Sequence, residues 1–296
     1  MYKRQVAKRA LKRVDYWVIA GLAFIALFSL NLPFPLIILL AAGYGAAMID
    51  KAGDHATPLA IGQSIANTLK TASIWLIIWL APLAALWLFL PDHVLTEIGL
   101  FFSKLAVVTF GGAYAVLAYM AQDVVQGFGW LEAGQMMDGL GLAETTPGPL
   151  ILVTEFVGFL AGFYEGGYGL AFLAAFITLW MTFAPCFLWI FTFAPYVEWI
   201  SDQPRLKGAL AGITAAVVGV ILNLTIWFAL HVFFTRVEQV QLSLFKIWVP
   251  EIATLDWRVV LLAAISAVLL LWLKWSVLRV LCVMVLCGLG TSLAGF

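Results

Sequence analysis

Charged side chains are scarce in this chain. Aspartate, glutamate, lysine and arginine make up 11% of its 296 residues, whereas hydrophobic residues make up 64%. Because soluble domains carry about 25% charged residues, this composition excludes a soluble globular protein and predicts an integral membrane protein. The basic and acidic residues, 16 of each, give a net charge of zero. We therefore expect the lipid bilayer, and no nucleic acid, as the partner of this chain.

Cysteine and histidine are also rare, with three residues of each. The cysteines lie in apolar runs and lack the spacing of a metal site or a disulfide framework, so we expect buried small hydrophobic side chains at Cys186, Cys282 and Cys287. The histidines are scattered over a linker, a loop and the end of an apolar segment, at His55, His93 and His231. A membrane-embedded enzyme needs converging nucleophiles, bases or metal ligands, so this class is the weakest alternative. No cofactor or metal ion is predicted.

The order of apolar and charged segments predicts the path through the membrane. Six cations precede the first apolar residues and favour a cytoplasmic N-terminus: Lys3, Arg4, Lys8, Arg9, Lys12 and Arg13. Two short helices follow, joined by a turn at residues 31–35, where prolines interrupt the apolar run. After a polar linker at residues 50–70, seven apolar segments complete a prediction of nine crossings: residues 71–90, 100–120, 150–164, 170–200, 209–234, 259–273 and 277–294.

Loop charge assigns the sides of these crossings. Residues 91–99 contain no lysine or arginine and are expected outside, as is the mixed-charge loop at 239–256. Residues 205–207 and 274–279 carry cations and are expected inside.

Two pairs of apolar helices resemble each other. Residues 15–19 are similar to 256–260, and residues 40–45 are similar to 285–290. The turn of the first pair is expected outside and that of the second inside, which indicates inverted-topology repeats, a common transporter architecture. The sequence therefore predicts an all-α, polytopic membrane protein with inverted repeats and broken or re-entrant helices. Its expected parts are the tail of a truncated first repeat (1–50), a linker with a connecting transmembrane helix (51–96) and a whole second repeat (97–296).

A helix-breaking segment, Thr145-Thr146-Pro147-Gly148-Pro149, interrupts the second repeat. In a bilayer a broken backbone is tolerated only where protein or a wet cavity satisfies its amides. A helix that starts at membrane depth directs free N–H groups and a positive dipole end at the space in front of it, and transporters build sites for anions in this way. Thr145 or Thr146 can cap a helix that begins near Pro147, because proline fits the first turn. We predict that this segment binds an anion.

A carboxylate, Glu155, follows inside the apolar run. Such a group is costly in a membrane unless it is protonated, paired or facing water, so a function is the default hypothesis. We predict that Glu155 takes up and releases protons. Glu144, just before the break, is either a partner of the positive helix end or a second proton-coupling group. Gly158 and Gly162 are spaced for close contact with another helix.

A second glycine element lies at residues 110–117 and contains Gly111 and Gly112, six residues after Lys104. Paired glycines permit either close helix packing or a local unwinding. Lys104 can either extend to the membrane interface or contact a ligand. We include all three among the predicted substrate-binding residues.

A short amphipathic helix is predicted over residues 130–141, at the cytoplasmic boundary. Glu132, Gln135 and Asp138 are spaced by three, so they share one face. This face is expected either to be solvated or to dip into the membrane, and Gly139-Leu140-Gly141 is expected to end the helix.

Together these motifs resemble the chromate ion transporter family. The similar stretches are residues 110–117, 129–131 (Gly-Trp-Leu), 139–149, 182–186 (Thr-Phe-Ala-Pro-Cys) and 215–220 (Ala-Ala-Val-Val-Gly-Val). The resemblance covers essentially the whole chain, as the C-terminal half of a two-repeat transporter with the tail of the N-terminal half. The Gly-Gly and Pro-Gly-Pro elements of a first repeat are absent, so we expect the natural protein to extend further on the N-terminal side.

The resemblance implies a secondary active transporter that exports chromate, a tetrahedral oxyanion, across the bacterial inner membrane, driven by the proton-motive force. Sulfate or another small anion is the alternative substrate. The implied substrate-binding residues are Lys104, Gly111, Gly112, Thr145, Thr146, Pro147, Gly148 and Pro149, and the proton-coupling residues are Glu155 and Glu144. A homodimer that pairs the repeats of two chains is a further alternative.

Overall fold

A computed structural model of the chain describes residues 14–30, 32–48, 65–108, 113–145, 152–242 and 245–293. Nearly all of these residues are helical, which confirms the predicted all-α fold. The contacts between residues divide the chain into two units, Met1–Leu224 and Thr225–Phe296.

The first unit begins with helices whose bounds are α1 (Val14–Phe28), α2 (Phe34–Ala47), α3 (Ile65–Phe89), α4 (Val94–Val108), α5 (Ala113–Gln122) and α6 (Ala133–Thr145). A π-helical turn, Asp123–Gly127, extends α5. The helical stretch Leu152–Phe193 is divided at Gly166 and Gly167 into α7 (residues 152–165) and α8 (residues 168–193). A 3₁₀ turn at Ala194–Tyr196 leads to α9 (Val197–Asp202), and α10 (Pro204–Phe233) runs on into the second unit.

The second unit contains a small β-hairpin that the sequence did not predict. Strands β1 (Val237–Leu242) and β2 (Phe245–Pro250) pair antiparallel within the segment expected to be an external loop. Two helices follow, α11 (Trp257–Ala267), which ends in a π-helical turn at Val268–Trp272, and α12 (Val277–Leu293).

Several of these helices have the length and composition of membrane spans. Three helical stretches of the described residues are long and apolar enough to cross a bilayer: Ile65–Phe89, Leu152–Tyr196 and Pro204–Phe233, with 25, 45 and 30 residues. The helices α1, α2, α11 and α12 are apolar but shorter. Many large apolar side chains lie exposed on the helices, such as Phe172 of α8, which is 67% exposed. Because a surface this apolar is unfavourable in water, the chain is a multi-pass membrane protein.

The longest of these stretches is a hairpin. Gly167 has a φ of 74°, in the region that glycine adopts without steric cost, and the chain reverses there. A methyl group at Gly158 would collide with Thr178, and one at Gly162 would lie 2.6 Å from the Cβ atom of Ala174. The later glycine of α7 thus contacts the earlier residue of α8, so the two helices are antiparallel. The predicted close-contact role of both glycines on α7 is confirmed.

The two arms of this hairpin differ in length. With a rise of 1.5 Å per residue, α7 is about 21 Å long and α8 about 39 Å. A hydrocarbon core of about 30 Å is therefore matched by α8 alone, whereas the described part of α7 is about 9 Å shorter than such a core.

A second hairpin replaces the single crossing predicted over residues 100–120. The Phe101 ring in α4 lies 5.2 Å from the ring of Phe128 and 5.6 Å from that of Trp130, both beyond the end of α5. The helix α5 therefore returns toward the end of the molecule where α4 begins. The prediction was wrong because hydropathy counts apolar residues and does not register a reversal of direction. Gly111 and Gly112, which join the two helices, lie outside the described residues.

Three smaller predictions also need correction. The linker ends earlier than expected, because α3 begins at Ile65. The glycines at 139–141 do not end α6, which continues to Thr145. Gly139 instead permits close packing on α7, since a methyl group there would lie 2.6 Å from the Cδ1 atom of Phe156. The cysteines are not buried: Cys186 and Cys282 are exposed, and Cys287 is partly exposed. Apolar residues in a membrane protein face lipid as well as the core, and sequence alone does not separate the two environments.

The first two helices pack closely on α10 through glycine. The turn between α1 and α2 lies where it was predicted, before Phe34. A methyl group at Gly212 would collide with the carbonyl of Ala41, and one at Gly219 would collide with that of Ala20. Because lipid tails are as apolar as these helices, association depends on such close backbone approach. This N-terminal pair is therefore an integral part of the first unit.

We predict that Gly162→Ala destabilises the chain by about 1–3 kcal/mol, because the added methyl group overfills the contact between α7 and α8. The matched control is Gly169→Ala on the same hairpin, where no atom lies within 4 Å of the added methyl group. Thermal unfolding in detergent, followed by circular dichroism, measures both variants. Equal melting temperatures for Gly162→Ala and Gly169→Ala would contradict the close contact.

Candidate functional site

The helix α8 gives a common reference for the depth of its neighbours. A methyl group at Gly99 would lie 3.8 Å from Ile177, and the Ser103 hydroxyl donates a hydrogen bond to the Met181 sulfur at 3.4 Å. An advance of four residues on α4 thus matches an advance of four on α8, so these two helices run in the same direction. The contact of Gly158 with Thr178 fixes α7 on the same scale, in the opposite direction.

This register places two predicted site residues at the same depth. Lys104 follows Ser103 and lies at the level of residues 181–182 of α8. Glu155 precedes Gly158 by three residues, which brings it to about the level of residue 181. The Lys104 side chain is exposed and that of Glu155 is half-buried. A cation and a carboxylate therefore stand beside α8 about 20 Å from its first turn, well inside a bilayer core of about 30 Å.

The third helix, α3, holds α4 in this position. The Trp79 indole donates a hydrogen bond to the Ser103 hydroxyl at 2.9 Å, and the Trp180 indole donates one to the Ile78 carbonyl at 3.0 Å. Trp79 is 7% exposed and Ser103 6%. Buried polar groups must be paired in a membrane, so these bonds fix the mutual register of α3, α4 and α8.

Polar groups on α8 lie at the same level. The Thr182 hydroxyl donates a hydrogen bond to the Thr178 carbonyl at 2.7 Å, and both threonines are buried. Pro185 lies inside the helix and has no N–H, so it leaves the carbonyl of Met181 without its helical partner. The resemblance stretch at residues 182–186 therefore forms part of this site, which sequence reasoning did not foresee.

Most of the remaining predicted site residues cannot be placed. Gly111, Gly112 and the segment 146–149 lie outside the described residues. Glu144 and Thr145 form the end of α6, and their side chains are likewise outside the description. The helix residues that border these undescribed segments can be placed, however. On the scale of α8, the last residue of α4 and the first residue of α7 both fall within residues 182–186.

Lys104 also belongs to a cluster that the sequence analysis missed. Its Nζ atom lies 5.7 Å from the centre of the Tyr119 ring, a cation–π distance. The Tyr119 hydroxyl donates a hydrogen bond to the Asp123 carboxylate, and the positive charge of Lys104 acts on the same carboxylate. The spacing of Tyr119 and Asp123 by four residues was the available signal. That spacing alone does not indicate a cluster with Lys104, because only the hairpin brings Lys104 opposite these two residues.

Aromatic rings fix the position of Tyr119. The Phe34 ring is stacked on Tyr119 at 5.4 Å between centroids, and the Phe101 ring lies 6.1 Å away. Phe34 belongs to α2 and is only 2% exposed. The helix α2 therefore contributes a wall to the cluster of Lys104, Tyr119 and Asp123.

An acidic cavity of about 370 Å³ lies where the two hairpins meet. Its charged side chains are all carboxylates, and the ring planes of Phe128 and Trp130 are stacked in its wall at 4.3 Å between centroids. The lining carboxylates are Asp92, Glu97 and Glu165. Such a surface repels anions, so this cavity differs in kind from the level at which Lys104 lies.

The cavity also corrects the predicted topology. Residues 91–99 were expected outside and residues 130–141 at the cytoplasmic boundary, yet Asp92 and Trp130 line the same cavity. The two segments are therefore on one side, and one of the two assignments is wrong. The count of nine crossings loses its basis, because the hairpin of α4 and α5 enters and returns. Loops this short carry too few charges to decide their side.

The helix predicted over residues 130–141 exists as α6, and its polar residues are now placed. Glu132 and Asp138 are exposed, as expected of a solvated face. The Gln135 amide donates a hydrogen bond to the Tyr164 hydroxyl at 2.6 Å, which ties α6 to the end of α7. Within the described residues, no three side chains of histidine, cysteine, aspartate or glutamate come together as a metal site.

Comparison with known proteins identifies the family of this chain. The family described as chromate transporter matches residues 96–291. The chain belongs to the chromate transporter family. It is 34% identical over 127 residues to the probable chromate transport protein of Synechococcus elongatus, which covers 43% of this chain and 30% of that protein. It is 30% identical over 220 residues to the chromate transport protein of Pseudomonas aeruginosa, which covers 73% of this chain and 44% of that protein.

A third relative is similar over a shorter range. The chain is 32% identical over 127 residues to the chromate transport protein of Cupriavidus metallidurans, covering 43% of this chain and 30% of that protein. The matched parts of the chain thus span 30% to 44% of the length of these relatives. No solved structure matches this member of the chromate transporter family.

The hairpin of α4 and α5 makes a prediction about sidedness. In a background with serine at the three native cysteine positions, Asp92→Cys and Phe128→Cys should react with a membrane-impermeant maleimide from the same side of the membrane. The control is Asp202→Cys, which lies beyond the far end of α8 and should react from the opposite side. Labelling of positions 92 and 128 from opposite sides would show that α4 and α5 form a single crossing.

Proposed function

We propose that this chain forms the transport site of a secondary active transporter for a tetrahedral dianion, with chromate as the substrate. The placement of Lys104 and Glu155 at one depth, beside the ends of α4 and α7, is the observation that carries the proposal. Membership of the chromate transporter family supports the substrate class. We further propose that transport is export across the bacterial inner membrane, driven by the proton-motive force, with the N-terminus in the cytoplasm.

The chemistry of the site suits a doubly charged oxyanion. An anion at this depth has lost most of its water, and it needs positive charge and hydrogen-bond donors in return. Lys104 supplies the charge. The proposed donors are the backbone N–H groups of Thr145, Thr146 and Gly148 and those of the Gly111-Gly112 segment, because the start of a helix presents free amides and a positive dipole end. Sulfate has the same charge and shape, so it is the competing substrate.

The proton-coupling role is assigned to Glu155, with Glu144 as its neighbour before the break. A half-buried carboxylate at the depth of the substrate can take up a proton, which neutralises its charge, while the anion moves. The proposal treats residues 97–296 as one repeat and residues 1–50 as the tail of another, joined by the linker and α3. Pairing of repeats in a homodimer is part of the same proposal.

Glu155→Gln should abolish or uncouple chromate flux driven by a pH gradient, because the amide cannot take up a proton. The measurement is radiolabelled chromate uptake into proteoliposomes with and without an imposed gradient. Glu238→Gln, an exposed carboxylate on β1, is the matched control and should behave like the wild type. An unaltered dependence on the gradient in Glu155→Gln would remove this role.

Lys104→Gln should weaken binding of chromate and of sulfate by roughly 10- to 100-fold, the effect of losing a hydrogen bond to a charged group. Isothermal titration in detergent measures both anions, and competition between them establishes which binds more tightly. The matched control is Lys207→Gln, whose ammonium lies 4.0 Å from Asp202 at the surface. Equal weakening in both variants would indicate a general charge effect and not a binding site.

A further inference from the structure

The carboxylate of Asp123 lies opposite Lys104 in the helical hairpin of α4 and α5. It is half-buried, it accepts a hydrogen bond from the Tyr119 hydroxyl, and it is under the influence of the Lys104 charge. Tyr119 interacts with both groups: its ring faces the Lys104 ammonium at 5.7 Å, and its hydroxyl donates to the Asp123 carboxylate. Asp123 is therefore the negative partner of the cation that the proposed function assigns to the substrate.

The backbone at Asp123 is also unusual. The helix α5 widens there into a π-helical turn, in which the Phe128 N–H donates to the Asp123 carbonyl at 2.9 Å and the Trp130 N–H to that of Val124 at 3.0 Å. Such turns are rare and are frequent at functional sites, since they change the direction of the side chains that they carry. Here the turn connects Tyr119 to the aromatic pair Phe128 and Trp130 in the wall of the acidic cavity, and the Phe101 ring lies against all three.

We propose that Asp123 is an internal counter-anion of Lys104, which the dianion displaces on binding, and that Asp123 takes up one proton as the dianion binds. This inference rests on the proposed function and adds a binding role for a residue outside the predicted site. The step forms an O–H bond on the Asp123 carboxylate and breaks one O–H bond of a hydronium ion, which leaves as water.

Electrostatics gives the direction of this linkage. A dianion beside Lys104 is attracted by the ammonium and repelled by the Asp123 carboxylate, whose charge has the same sign. Protonation of Asp123 removes the repulsion, so anion binding and proton uptake favour each other. Affinity for the dianion is then high at low pH, where Asp123 is protonated, and falls as the pH rises and Asp123 ionises.

Tyr119 is suited to both states of Asp123. A tyrosine hydroxyl donates to a carboxylate, and it accepts from a protonated carboxyl group, so the pair stays hydrogen-bonded throughout. The groups that act on Asp123 are Tyr119 and Lys104. The other described elements packed on Tyr119 present the apolar rings of Phe34 and Phe101. The charge balance of the cluster thus lies between Lys104, Asp123 and the bound anion.

The test measures anion affinity as a function of pH. The full chain in detergent is titrated with sulfate, which stays a dianion between about pH 5.5 and 8.5, and monodispersity in size-exclusion chromatography confirms folding of each variant. For the wild type, affinity should fall at least tenfold across this range. For Asp123→Asn, the pH dependence should weaken to the part that Glu155 contributes, and at pH 8 the affinity should exceed that of the wild type at least tenfold.

Two further variants separate this role from a structural one. Asp123→Glu keeps the carboxylate and should keep the pH dependence. Tyr119→Phe removes a hydrogen bond that stabilises the ionised form, so the midpoint of the affinity change should move to higher pH. Asp138→Asn, an exposed carboxylate on α6, is the matched control and should titrate like the wild type.

The outcomes distinguish this inference from the proposed function. If Asp123→Asn retains the pH dependence of the wild type while Lys104→Gln loses binding, the role of Asp123 is wrong and the anion site stands. If Asp123→Asn binds more weakly than the wild type at every pH, the carboxylate supports binding and the counter-anion role is overturned. If the wild type binds neither anion, both proposals fail together.

Discussion

The structure depends on the cost of an unpaired backbone group in lipid. A hydrocarbon core offers no water to an exposed N–H or carbonyl, so a helix that stops there must be enclosed by protein. The described parts of α5 and α7 are shorter than such a core, and each is one arm of a hairpin. In the hairpin of α7 and α8 the two backbones approach closely, as the contacts of Gly158 and Gly162 with α8 demonstrate. Close packing therefore permits breaks that lipid alone would forbid.

The same packing determines where charge can stand. Because α4 and α7 are both registered against α8, Lys104 and Glu155 reach a common depth although 51 positions separate them in the numbering. The buried hydrogen bonds from Trp79 and Ser103 keep that register from sliding. An isolated cation at such a depth would be costly, whereas one beside an aromatic ring and a carboxylate is partly compensated. The arrangement of Lys104, Tyr119 and Asp123 is thus a consequence of the hairpin.

Local features of this fold could be predicted from the sequence, and long-range ones could not. The turn before Phe34, the contact face at Gly158 and Gly162 and the last two helices follow from proline, glycine and hydropathy patterns. The reversal between α4 and α5 was missed because a run of apolar residues looks alike whether it crosses the membrane or returns. Asp123 was missed for a related reason: its meaning comes from Lys104, which only the reversal brings near. The exposure of the cysteines likewise depends on tertiary surroundings, whereas the β-hairpin is a local structure of residues 237–250.

The order of charges along α4 bears on how an anion would use this site. Glu97 and Lys104 are seven residues apart, so they share a face of the helix, two turns and about 10 Å from each other. Glu97 belongs to the acidic cavity, whereas Lys104 points to the cluster with Tyr119. Along this face the local field changes from repelling an anion to attracting it, and Asp123 weakens the attraction whenever it is ionised. A dianion held at Lys104 is consequently retained most strongly when Asp123 carries a proton. Loss of that proton favours release without any change in the helices themselves.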